Sequence, residues 1–163
     1  MDLLSRRKFL NYTFLSSAVF VMSGCELFAI VTPLQTLEVL WDDLFPHAKK
    51  LGVKTLPYLV IVLNHSRITQ ENKEFLKNGV QWINEESATL YHTTYTKLSS
   101  SQREELLKRI SQKEWGKKWL SSLMSYGFEA MFSDPVYKSN MDEVGWKWLA
   151  FEGGKPRPKR AFL

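Results

Sequence analysis

Cys25 has the clearest chemistry in this chain, because it is the only cysteine in 163 residues and it closes an apolar stretch. A single thiol excludes an intramolecular disulfide, and without a Cys-x-x-Cys-His motif there is no attachment point for a c-type haem. Met22-Ser23-Gly24-Cys25 has the form of a lipobox, in which small residues precede a cysteine that is acylated and becomes the new N-terminus. Leucine is more usual where Met22 stands. The competing reading is an unmodified cysteine in an uncleaved anchor. The apolar run continues through Leu27-Phe28-Ala29-Ile30-Val31, and Tyr12 to Val31 is about 20 residues, enough to cross a bilayer as a helix. A lone acyl chain holds a membrane only marginally, but a lipoprotein N-terminus carries several. Either reading holds the chain at a membrane.

Upstream lies Ser5-Arg6-Arg7-Lys8-Phe9-Leu10. Paired arginines after a serine, then Phe9 and Leu10, then the apolar segment from Tyr12 to Met22, are laid out as a twin-arginine export signal. Such signals serve proteins that cross the bacterial inner membrane already folded, often holding a cofactor or a partner. The expectation is a periplasmic protein anchored at the inner membrane, by lipid on Cys25 or by a retained N-terminal helix, after passage through the twin-arginine translocase. Residues 1–25 are the signal segment and residues 26–163 the body.

The body offers little further chemistry. His47, His65 and His92 are its only histidines, and none is spaced with another ligand as His-Glu-x-x-His would be. Asp42-Asp43 and Glu85-Glu86 are adjacent carboxylates, but helix neighbours do not face each other, so they read as solvated. No glycine-rich phosphate loop and no nucleophile-elbow serine is present. The net charge is +5, of which residues 1–25 carry +2. The remainder is too mild and too dispersed for a nucleic-acid face. Its basic excess gathers in Lys155, Arg157, Lys159 and Arg160, which reads as a solvated tail.

The elements that must position these residues are helical. Leu34, Leu37, Leu40-Trp41, Leu44 and Phe45 recur with helical spacing, and Pro46 ends that helix. His47 to Thr55 reads as a polar loop. Pro57 fits the first turn of a second helix over Tyr58–Leu63, a run that is apolar all round and also compatible with a short strand. A third, amphipathic helix of about 25 residues carries a stripe of Phe75-Leu76, Val80, Ile83, Ser87, Leu90-Tyr91 and Thr94-Tyr95. Gly79 within it costs about 1 kcal/mol against alanine. Ser99 and Gln102 form a capping-box pattern ahead of a fourth helix. A fifth runs from about Glu114 to Phe132, with Trp115, Trp119, Leu123 and Phe128 on one face, and Ser133-Asp134-Pro135 breaks it. Beyond it the sequence predicts an irregular, aromatic arm and an extended tail. The fold class is all-α, one domain of about five helices.

Six tryptophans are many for this length. Trp41, Trp82, Trp115 and Trp119 sit on helix faces and read as core. Trp146 and Trp148 lie outside the periodic helices, and for them core and interface are both open, since tryptophan is favoured at interface hot spots.

Taken together, these residues resemble the gluconate 2-dehydrogenase subunit 3 family, the small subunit of membrane-bound flavoprotein dehydrogenases acting on sugars or sugar acids. The resemblance covers nearly the whole chain. It rests on Ser5–Leu10, Leu44-Phe45-Pro46, Gly52-Val53, the long third helix, Leu98-Ser99 before Gln102, and above all Asp134-Pro135-Val136-Tyr137 with Gly145-Trp146. Where the family usually has Gly-Gly-Asn after the tyrosine, this chain has Lys138-Ser139-Asn140.

The resemblance implies a non-catalytic subunit with no cofactor of its own. FAD is expected in a partner large subunit and haem c in a cytochrome c subunit. The small subunit carries the export signal and assists export and assembly of the FAD subunit. Tyr137, Asn140, Trp146 and Trp148 are the candidate interface residues. The alternative is an orphan helical periplasmic lipoprotein with a scaffolding role. No nucleic-acid partner is expected.

Overall fold

The computed structural model describes residues 33–161. The twin-arginine stretch with Ser5, Arg6, Arg7, Phe9 and Leu10, and the lipobox ending at Cys25, lie outside the described residues. Among the described residues there are seven α-helices, three 3₁₀ turns and no strand. The helices are α1 (Pro33–Leu44), α2 (Pro46–Leu51), α3 (Thr55–Asn64), α4 (Gln70–Tyr91), α5 (Ser100–Ser111), α6 (Glu114–Phe132) and α7 (Val144–Trp148). The all-α expectation holds, and so do its five main helices. No helix among the described residues is long and apolar enough to cross a membrane.

Helix α6 is the organising element. It packs against α3, α4, α5 and α7, while α1 lies across α2, α3 and α4. Its inner face is Trp119, Leu120, Leu123, Gly127, Ala130 and Met131. These meet Leu40, Leu76, Ile83, Leu106 and Ile110 in one core. The Trp119 ring lies against Gly79 of α4, where any Cβ would overlap the indole. Its Nε1 donates to the Leu76 carbonyl at 3.1 Å. The glycine that looks unfavourable in a helix is therefore the seat of the largest wholly buried side chain.

The helix ends follow their local chemistry. Thr69 caps α4 by accepting from the Asn72 N–H at 3.3 Å. At α5 both halves of the Ser99–Gln102 capping box form, with Ser99 N–H donating to Gln102 Oε1 at 2.9 Å. Pro57 sits in the first turn of α3, and the Tyr58–Leu63 run is helical.

Four expectations are corrected. Residues 46–51 form a short helix where a loop was expected, because Pro46 occupies the first helical position, where its missing N–H is harmless. Helix α4 stops at Tyr91, with His92 left-handed at φ 56, so Thr94 and Tyr95 are not on its stripe. Tyr95 instead enters the core from a 3₁₀ turn. Its hydroxyl donates to Asp43 Oδ2 at 2.7 Å, and Arg103 Nε donates to the same oxygen at 2.7 Å. Asp43 is thus a shielded tie between α1, the turn and α5, not a solvated carboxylate. Finally, Phe128 is 49% exposed. It stands one position beyond the inner face, which passes through Gly127, where Phe45 packs too close for any side chain.

A candidate partner interface on the C-terminal arm

The stretch read as an irregular arm is folded back on the end of α6. Asp134 opens it: Oδ1 accepts from the Val136 N–H at 2.9 Å and caps the Pro135–Tyr137 turn. Lys138 then takes a left-handed conformation, φ 64. Asn140 follows and is wholly buried. Its Nδ2 donates to the Ser133 carbonyl at 3.0 Å, and its Oδ1 accepts from the Gly145 N–H at 2.7 Å. A Cβ on Gly145 would collide with the Met131 carbonyl, so glycine is required for α7 to lie this close to α6.

On α7, side chains two positions apart point to opposite sides. Trp146 turns inward and is 7% exposed. Its Nε1 donates to the Phe132 carbonyl at 2.7 Å, Phe151 meets its ring edge-on at 5.7 Å, and the Arg157 guanidinium lies over it at 4.3 Å. Arg157 also pairs with Asp134 at 2.9 Å and Glu143 at 3.2 Å. The predicted tail is therefore clamped back onto the arm as far as Arg157. Trp148 turns outward and is 51% exposed. It stacks on Phe132, with centroids 6.4 Å apart and 5° between planes, and its other neighbour is His47 at 6.2 Å.

Tyr137, partly exposed, meets Tyr58 edge-on at 6.1 Å. The Tyr58 hydroxyl donates to Glu129 Oε2 at 2.8 Å. Burial first, and that carboxylate second, hold the Tyr58 phenol above its ordinary pKa, so it remains a donor.

The four nominated residues thus gather in one region but divide by role. Asn140 and Trp146 direct their polar atoms inward, to the arm's own backbone and to the end of α6. Trp148 and part of Tyr137 face out. Among the described residues, four of the five non-glycine residues with positive φ are in this region: Lys138, Asp142, Glu143 and Ala150. Each such conformation costs about 1–2 kcal/mol and persists only where surrounding contacts over-determine it, as at functional sites.

The rest of the described surface offers less. The histidines are apart, and among the described residues no three His, Cys, Asp or Glu side chains are grouped to hold a metal. An open cleft of about 810 Å³ between α4 and α6 is lined by Glu71, Glu74, Phe75, Glu114, Lys117 and Lys118, among others. Lys118 is paired with Glu114 at 2.9 Å. It is a mixed-charge surface with no buried polar group aimed into it.

Set against models of known protein families, residues 33–154 match one described as gluconate 2-dehydrogenase subunit 3. The chain belongs to that family. Neither the curated proteins nor the solved structures give a match. As a subunit 3 chain it is an accessory subunit of a dehydrogenase complex. The match begins at the first residue of α1 and includes Asp134, Asn140, Gly145, Trp146 and Trp148, so the arm up to residue 154 is part of the subunit 3 domain. Lys138 takes the left-handed turn that glycine allows most readily.

The sequence missed the outward residues of α6. Periodicity places Phe128 on one face with Trp119 and Leu123, whereas the structure leaves it half exposed. The signal available was the pair Gly127 and Ala130: small residues on an inner face mark a close helix approach, and bulky neighbours one position away are pushed outside.

Proposed function

We propose that this chain is the non-catalytic small subunit of a periplasmic, membrane-associated flavoprotein dehydrogenase of gluconate 2-dehydrogenase type. It carries the export address for the complex. The catalytic large subunit, loaded with FAD, folds in the cytoplasm, binds the subunit 3 domain, and crosses the membrane as its passenger. After export, lipid on Cys25 or a retained N-terminal helix holds the assembly at the inner membrane. A cytochrome c subunit there takes the electrons. FAD and haem belong to the partners, and no step of the oxidation is assigned to this chain.

One observation carries this reading. A subunit 3 domain beginning at Pro33 is preceded in the same chain by Ser5-Arg6-Arg7-Lys8-Phe9-Leu10. Folded export is the service the twin-arginine route supplies, and a cofactor-loaded partner is the cargo that needs it.

The test is Arg6→Lys with Arg7→Lys. The expected outcome is loss of the FAD subunit from the periplasmic fraction, with flavoprotein retained in the cytoplasm. Normal periplasmic amounts of the FAD subunit would overturn the export role.

A further inference from the structure

Among the described residues seven large apolar side chains are exposed, and six of them fall between Met124 and Phe151. Three of these, Met124, Phe128 and Trp148, are linked through the less exposed rings of Phe45 and Phe132. Met124, Phe128 and Phe132 follow one another at four-residue steps on α6, where helix neighbours meet. Phe128 packs edge-on against Phe45 at 5.3 Å, Phe132 stacks on Trp148, and Trp148 reaches His47, two residues from Phe45. The result is one aromatic ridge running from α6 over α7 to the start of α2. A monomer seldom displays contiguous apolar surface of this kind without a use for it.

Its surroundings indicate what would cover it. Lys50, close after His47, and Lys147, next to Trp148, are exposed and form no ion pair with the described residues. The arm's charge is mixed, with Asp142, Glu143 and Glu152 beside Lys138, Lys155 and Arg157, so it presents no concentrated basic face to an anionic lipid surface. Rings already stacked on each other suit a preformed protein surface better than a fluid one. A dehydrogenase accessory subunit must also meet its partner somewhere.

We propose that the Phe128–Trp148 ridge is the docking surface for the catalytic FAD subunit, which would present an apolar centre ringed by acidic residues facing Lys50 and Lys147. This rests on the assembly role proposed above. Asn140, Trp146 and Arg157 act as positioning residues that hold Trp148 in place.

The experiment uses the full chain, tagged and expressed in its own host, and reads flavin and acceptor-linked dehydrogenase activity recovered per tagged chain. Phe128→Asp and Trp148→Asp are each expected to lower both by at least about tenfold, as truncation of an interface hot spot does, with an unchanged far-ultraviolet circular dichroism spectrum. Leu90→Asp, exposed on α4, should recover wild-type amounts. Lys50→Glu with Lys147→Glu should weaken recovery most at low salt. Folded Phe128→Asp and Trp148→Asp proteins with wild-type flavin would overturn the proposal. So would variants that keep their flavin while losing binding to vesicles containing phosphatidylglycerol, which would make the ridge a lipid contact, or losing self-association, which would make it a contact between copies. If the wild-type chain itself recovers no flavoprotein, the assembly reading fails first and this surface with it.

Discussion

Trp119 in the helical body and Trp146 in the arm use the same device with different consequences. Each donates its indole N–H to a helix carbonyl, Leu76 at 3.1 Å in one case and Phe132 at 2.7 Å in the other. Each lies beside a glycine that leaves room for the ring, Gly79 and Gly153 respectively. Trp119 is wholly enclosed by helices whose own periodicity would form them anyway. Trp146 holds a segment with little regular structure, several left-handed residues and a neighbour, Trp148, that it keeps on the outside. The first tryptophan completes a core. The second fixes a surface.

The sharpest way to break the comparison is to remove each device in turn. Trp119→Ala is expected to destabilise the whole chain by about 3–5 kcal/mol, measured by denaturant unfolding, because its cavity is walled by α4 and α6 and cannot collapse. Asn140→Ala should cost less, about 1–3 kcal/mol, since it orphans the buried Gly145 N–H and the Ser133 carbonyl. Its signature is local: amide exchange should quicken from residue 141 to 151 while α4 and α6 keep their protection. Equal loss of protection in both would show that arm and body unfold as one unit.

The smallest effect separates the body by pH. Burial, and then its bond to Asp43, raise the Tyr95 phenol above its ordinary pKa. The folded state therefore keeps this proton after the unfolded chain has released it at about pH 10. The stabilisation is complete below that pH and is lost as pH rises toward the folded pKa. Tyr95→Phe should cost about 1 kcal/mol at neutral pH and flatten the alkaline decline in stability. An unaltered alkaline slope would remove Tyr95 from that role.

Sequence made the body legible because its determinants are local. The Ser99–Gln102 box, Pro57 and the Glu114–Phe132 periodicity each act within a turn or two of helix. The arm was not legible for the opposite reason. Asn140 is defined by Ser133 and Gly145, Trp146 by Phe132, and Asp134 by Arg157, and no repeat links these positions. Trp146 and Trp148 could be separated only once residues 144–148 were known to be helical, because helical phase sends them to opposite sides. Pro46 misled as a stop signal since it both follows one helix and begins the next. The twin-arginine motif and Cys25 were legible as motifs, and their roles rest on the proposal above.

The two ends of the arm meet on a single carboxylate. Asp134 binds the Val136 N–H with one oxygen and Arg157 with the other, which makes residues 134–157 a closed loop. The entropic penalty of closing a loop grows only slowly with its length, and here it falls within folding itself. A partner arriving at Trp148 would then find its rotamer already fixed on Phe132 and would have less disorder to remove on binding. On that view the Asp134–Arg157 pair contributes to affinity from a distance, as a determinant of rigidity that never touches the partner.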